Sequence, residues 1–251
     1  MNVRIVPLAL PALCALALTL ATCGSRGETP AAGDAHATTT AAPAPPAAEP
    51  SAVAARPRIV VLGDSLTAGL GIPAANAYPS LLQQRVDAEG LNFDVVNAGV
   101  SGDTSAGGLS RLDWALQGDV RLLIVALGAN DGLRGLPVEQ LRRNLARIIQ
   151  RAKTRGIAVI LAGMEAPPNF GGDYIVAFHQ VYPSVAAEYD VALVPFLLEG
   201  VAGRADLNQN DGTHPSVDGA RIVADNVWAV LEPIAKQQQR RGTRGEGRPG
   251  S

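Results

Sequence analysis

The chain has 251 residues, 18% charged and 47% hydrophobic, which supplies enough apolar material for one packed domain with flanking segments. A formal net charge of -2 excludes a protein-wide basic field for nucleic acid or anionic membrane surfaces. Both cysteines, Cys14 and Cys23, lie near the N-terminus, so everything after them lacks disulfides and thiolate metal sites.

Residues 1–23 place Arg4 before an apolar stretch from Ile5 to Ala21 that is interrupted by Pro7 and Pro11. The stretch is shorter and richer in alanine than a membrane span and reads as a secretory signal peptide. Leu20-Ala21-Thr22-Cys23 resembles the bacterial lipobox, with Thr22 where Gly, Ala or Ser is usual. Two outcomes follow from it, lipidation of Cys23 or ordinary cleavage and release. Either makes the protein periplasmic or exported, and the first tethers it to the cell envelope through lipid. Residues 24–56 are dominated by Ala, Pro and Thr and read as a disordered linker.

From 57 to 236 short apolar runs alternate with helical patterns. Arg58–Leu62, Phe93–Asn97, Leu122–Leu127, Ile157–Leu161 and Val191–Val194 are rich in Val, Ile and Leu without strict alternation, as strands covered on both faces are. Helices are predicted over Pro79–Glu89, Ala106–Gln117, Val138–Arg155, Tyr174–Tyr189 and Pro215–Ile234. In Val138–Arg155, Leu141, Leu145, Ile148 and Ile149 share one face, so this helix covers a sheet. Repeated βα units imply an α/β fold, a three-layer α/β/α sandwich on a parallel sheet with right-handed crossovers. Residues 237–251 carry Arg240, Arg241, Arg244 and Arg248 among Gly and Pro and read as a basic disordered tail.

Ligands of such sheets bind beyond the carboxyl ends of the strands, so the chemistry belongs to the loops there. The first is Gly63-Asp64-Ser65. The second runs from Asn97 to Ser105 and contains Gly102, and the third is Gly128-Ala129-Asn130-Asp131-Gly132. Gly, Asn, Asp and Ser are ordinary turn residues, so each loop alone is unremarkable. Together on one rim with Asp211-Gly212-Thr213-His214-Pro215, they compose a site for acyl transfer. A serine hydroxyl needs a base, and His36 falls in the linker, which leaves His179 and His214. His179 sits on a predicted helix face beside Phe178. His214 has a carboxylate three residues ahead of it. In this reading Ser65 is the nucleophile, His214 the base and Asp211 its orienting acid. The backbone N–H groups of Ser65 and Gly102 and the side-chain amide of Asn130 form the oxyanion hole. Asp64 and Asp131 are read as loop anchors that accept backbone hydrogen bonds.

These blocks, Gly63-Asp64-Ser65-Leu66, Gly102, Asn130 and Asp211 to Pro215, resemble those of the SGNH/GDSL hydrolase superfamily, in order across 57–236. Asn130 to Gly135 and Ala166 to Gly171 are similar to its bacterial periplasmic thioesterase/lysophospholipase/arylesterase branch. The resemblance implies a flavodoxin-like five-stranded parallel sheet and an ester hydrolase that needs no metal or cofactor. It further implies a monomer acting on small-molecule acyl ester or thioester substrates, including aryl esters and lysophospholipids. Leu109, Leu112, Leu133 and Leu136 are candidates for an acyl groove or for core. An envelope carbohydrate acetyl-esterase and a non-catalytic surface binding module on the same fold are the alternatives. Thr67 stands where the nucleophile elbow of the larger α/β-hydrolases has glycine. Asp206, Asn208 and Asn210 resemble a calcium loop, but Asp211 replaces its glycine and Val217 its bidentate Glu.

Overall fold

The computed structural model describes residues 55–246. The signal peptide, Cys23 and nearly all of the linker lie outside the described residues. Five parallel strands form one sheet in the order β2-β1-β3-β4-β5. They are β1 (Arg58–Gly63), β2 (Asp94–Gly99), β3 (Val120–Ala126), β4 (Ala158–Ala162) and β5 (Ala192–Val194). This is the expected flavodoxin-like order, and it reverses direction between β1 and β3, where such sheets open a crevice. Strand runs of Val, Ile and Leu are buried throughout the centre of the sheet; Ile59 to Leu62 and Leu122 to Val125 have no exposed surface.

Helices cover both faces. α2 (Tyr78–Ala88) packs on α8 (Val217–Glu246), while α3 (Ser105–Ser110) and α7 (Gly172–Tyr189) pack on α6 (Val138–Thr154). Leu141, Leu145, Ile148 and Ile149 form the buried stripe of α6, as their spacing predicts. Short helices α1 (Ser65–Ala68), α4 (Leu112–Ala115) and α5 (Ala129–Leu133) follow the loops at the strand ends. Among the described residues no helix is long and apolar enough to cross a membrane.

Four boundaries differ from the sequence expectation. The predicted helix 106–117 divides at Arg111, the residue between α3 and α4, because its side chain turns inward to bond Asp103 and Gly63 O. Pro215 does not start the last helix; it pairs with Asn208 in an isolated bridge, and Ser216 accepts from Gly219 N ahead of α8. α8 continues to Glu246, well into the segment read as a tail. Gln and Arg are good helix formers, and Gln239 Oε1 accepts from Asn92 N at 2.7 Å, which docks the extension. Finally, Arg56 belongs to the fold rather than the linker, since it bonds Asp87 at 2.9 Å and Leu91 O at 3.1 Å.

Candidate active site

β1 delivers the nucleophile turn. Asp64 is the N-cap of α1, accepting from Leu66 N at 3.0 Å, and Gly69 ends that single turn in the left-handed conformation. The turn is packed from beneath. Thr67 Oγ1 and Tyr78 Oη share a buried hydrogen bond of 2.7 Å, and Asn97 Nδ2 donates to Thr67 O at 2.9 Å. A Cβ on Gly99 would lie 2.3 Å from Ala68 N, so glycine there lets β2 press against α1.

The partner loop approaches from before α8. Asp211 accepts from Thr213 N at 2.9 Å and His214 N at 3.0 Å, and its Oδ2 lies 2.6 Å from His214 Nδ1. His214 Nε2 lies 2.9 Å from Ser65 Oγ. Ser65, His214 and Asp211, the three residues named from the sequence as a candidate triad, therefore lie in one continuous hydrogen-bonded row. The backbone N–H groups of His214 and Thr213 hold Asp211 down at about 2, so it is ionised at neutral pH. An ionised Asp211 keeps the proton on Nδ1 and leaves the Nε2 lone pair to accept from Ser65. Gln209 spans the two halves: its Nε2 donates to Leu70 O at 2.7 Å and Pro215 O at 3.0 Å, while its N–H donates to His214 O at 2.7 Å.

The candidate oxyanion donors lie on the turn that carries Ser65 and on the neighbouring loops. Among the described residues nothing accepts from the N–H groups of Ser65 or Gly102. Gly102 has a φ of 84°, a conformation that favours glycine, and Arg134 donates to its carbonyl at 2.8 Å. Asn130 Nδ2 donates to Asp103 O at 2.9 Å and more weakly to Asp64 Oδ2 at 3.4 Å. Gly102 does not line the catalytic cleft itself; Asp103 connects it to Asn130, which does.

Both anchoring aspartates behave as read. Asp131 accepts from Ser105 N at 2.7 Å and Ser105 Oγ at 2.6 Å, and Asn144 Nδ2 donates to Ser105 Oγ at 2.9 Å. Burial pushes Asp64 up to about 6 against the opposing pull of Leu66 N–H, the Asn130 amide and His214. The sequence reading missed Gln209, and also Arg111, which bonds Asp103 at 2.6 Å and Gly63 O at 2.9 Å. Each side chain has one partner near in sequence and one far off, Gly63 O for Arg111 and Leu70 O for Gln209, and no local pattern marks the distant ones.

A cleft of about 400 Å³ opens at Ser65 and His214, with apolar walls that include Leu66, Leu133, Met164, Pro167, Phe196 and Leu198. Of the groove candidates only Leu133 lines it; Leu112 is wholly core. The calcium-loop resemblance does not survive, because Asn208 turns inward and donates to Val201 O and Arg204 O. Among the described residues no three His, Cys, Asp or Glu side chains converge as metal ligands.

A parallel sheet in a three-layer α/β/α sandwich, with Ser65, His214 and Asp211 in one hydrogen-bonded row at its switch point, is the architecture of a hydrolase. Residues 61–222 match the GDSL-like Lipase/Acylhydrolase family, and the chain belongs to it. It is an ester hydrolase. It is 46% identical to Esterase TesA of Pseudomonas aeruginosa over 182 residues, 72% of this chain and 90% of that one. Thioesterase 1/protease 1/lysophospholipase L1 of Escherichia coli is 40% identical over 72% of this chain and 86% of its own. The crystal structure of psychrotrophic esterase EstA from Pseudoalteromonas sp. superposes with a TM-score of 0.68 at 32% identity, covering 71% of this chain and 98% of that one.

Proposed function

We propose that Ser65, His214 and Asp211 act as nucleophile, general acid–base and orienting carboxylate in the hydrolysis of acyl esters and thioesters, lysophospholipids and aryl esters among them. Ser65 Oγ attacks the acyl carbon while His214 Nε2 takes its proton. The carbonyl oxygen becomes an oxyanion facing the N–H groups of Ser65 and Gly102 and the Asn130 amide. Collapse breaks the bond to the alcohol or thiol, which leaves with the proton held on Nε2, and the acyl group stays on Ser65. Water then attacks the acyl-enzyme, giving its proton to Nε2. The second collapse releases the carboxylic acid and returns a proton to Ser65 Oγ.

The observation that carries this reading is the unbroken relay from Ser65 Oγ to Asp211 beside an apolar cleft. The substrate range is supported by the names of the relatives, one an esterase and one a thioesterase/lysophospholipase. Export to the cell envelope, lipid-anchored through Cys23 or released, is part of the same proposal and rests on the N-terminal pattern alone.

Purified residues 51–251 and the Ser65→Ala variant, assayed on p-nitrophenyl esters from acetyl to palmitoyl, test it. Turnover that extends into medium or long chains and vanishes in Ser65→Ala is expected. Turnover confined to acetyl esters would point to an acetyl-esterase, and equal rates in the two proteins would remove Ser65 as the nucleophile.

A further inference from the structure

Beyond the relay, one carboxylate side chain lines the cleft at Ser65, that of Glu165. Glu165 follows β4 and lines the same cleft as Met164, Pro167, Ser65 and His214. No Lys or Arg lines the cleft, and its other ionisable lining group is His214. The neighbouring cations are engaged elsewhere: Arg134 donates to Gly102 O, and Arg204 pairs with Asp206 at 2.7 Å. Glu165 is not free to swing away. Its Oε1 lies 2.6 Å from His179 Nδ1 on α7, with the two side chains 36% and 51% exposed, so the imidazole fixes where the carboxylate sits.

A carboxylate held on an apolar wall acts on a bound substrate more strongly than one on an open surface, because the walls displace screening water. The acyl chain of an ester or thioester is uncharged. Charge among such substrates therefore differs in the group that is released. A quaternary ammonium offers no N–H and is recognised through a nearby anion and apolar or aromatic surface, which Glu165, Met164 and Phe196 supply together. A leaving group of net negative charge meets repulsion at the same place.

We propose that Glu165 is a specificity-determining residue that favours esters whose leaving group is a net cation, such as a quaternary ammonium alcohol, over those whose leaving group carries net negative charge. This rests on the serine-esterase reading above and adds the substrate class that the site prefers. His179 acts through Glu165 and is a positioning residue.

Three octanoyl substrates that share an acyl chain test it: octanoylcholine, p-nitrophenyl octanoate and octanoyl-CoA. Wild type, Glu165→Gln and Glu165→Lys are compared by kcat/KM, each charged substrate being divided by the neutral ester in the same preparation, which cancels any change in folded fraction. The choline ratio should fall about threefold in Glu165→Gln and about tenfold in Glu165→Lys, the size expected of one and two unit charges across a partly solvated cleft. The CoA ratio should rise at least as much, and both shifts should shrink with added salt. A structural role alone would lower all three rates together. Ratios that stay within twofold of wild type, or that move in the same direction, would overturn the assignment of Glu165. An inactive wild type, or Ser65→Ala as active as wild type, would instead overturn the esterase reading itself.

Discussion

Arg111 offers the sharpest test of how the fold supports the oxyanion hole. Its guanidinium, 17% exposed, bonds Asp103 at 2.6 Å and Gly63 O at 2.9 Å, so one side chain joins the loop after β2 to the end of β1. Asp103 in turn places its carbonyl on Asn130, and Gly102 precedes it. In Arg111→Met the aliphatic packing stays while both bonds go, leaving the half-buried Asp103 carboxylate without its cation. Charge-assisted bonds of this kind contribute about 1.5–3 kcal/mol each. Against that, Arg111 Nη1 is already buried without a partner, and removing it recovers about 1–3 kcal/mol. The net loss of stability is therefore about 0–5 kcal/mol, centred near 2.5, or roughly 5–10 °C in Tm at that centre for a domain of this size. Catalysis should suffer more than stability, because a shift of about 1 Å in the donors can cost about 10²-fold. Steady-state kinetics on p-nitrophenyl octanoate should show kcat down about 10–100-fold with KM little changed, and Arg111→Lys in between. A Tm that falls while kcat of the folded enzyme holds would refute the reasoning and leave Arg111 as a structural brace only.

Asn130→Ala should lower kcat about 10²–10³-fold with an unchanged fold by circular dichroism, as loss of an oxyanion donor does; a loss under threefold would remove it from the hole. Gly99→Ala would put a Cβ 2.3 Å from Ala68 N, and should cost about 2–4 kcal/mol in urea unfolding together with activity; wild-type stability would show that the β2–α1 contact yields. Asp64 gives a pH signature. Its folded pKa of about 6 lies above the ordinary 3.8, so its contribution favours folding below about pH 4 and is lost as pH rises through 6. About 3 kcal/mol is at stake over that interval. Unfolding free energies of wild type should fall relative to Asp64→Asn between pH 4 and 6.5, and parallel curves would show that the buried carboxyl is not raised.

What was legible in the sequence was what is local. The strands announce themselves as runs such as Ile59 to Leu62, and α6 by the spacing of Leu141, Leu145, Ile148 and Ile149. The candidate acid and base stand within Asp211 to His214, and the candidate nucleophile sits in a glycine-flanked turn. Their mutual distance, 149 positions between Ser65 and His214, was supplied by the βα order rather than by any pairwise signal. What was hidden is tertiary. Arg111 sits in an ordinary helical pattern, and only its reach of 48 residues to Gly63 O explains why that helix divides. Gln209 reaches 139 residues back to Leu70 O, and His179 was read correctly as a helix-face residue without its bond to Glu165. Each of these uses a residue type common on any surface, so composition and spacing carry no mark of it.

The two carboxylates nearest the relay also decide between themselves which serves the histidine. Asp211 is exposed, bonded to Nδ1, and held at about 2 by two backbone N–H groups, so it stays ionised across the working range. Asp64 is buried beneath the nucleophile turn, raised to about 6, and bonded to Leu66 N and Asn130 rather than to the imidazole. Environments that push two carboxyl groups apart in this way assign them different work. Between pH 4 and 6 Asp64 is largely protonated while the relay through Asp211 remains intact, so the proton transfer chain does not depend on Asp64. Asp64 therefore serves the turn that carries Ser65 and bonds Asn130, while Asp211 is the carboxylate that orients His214.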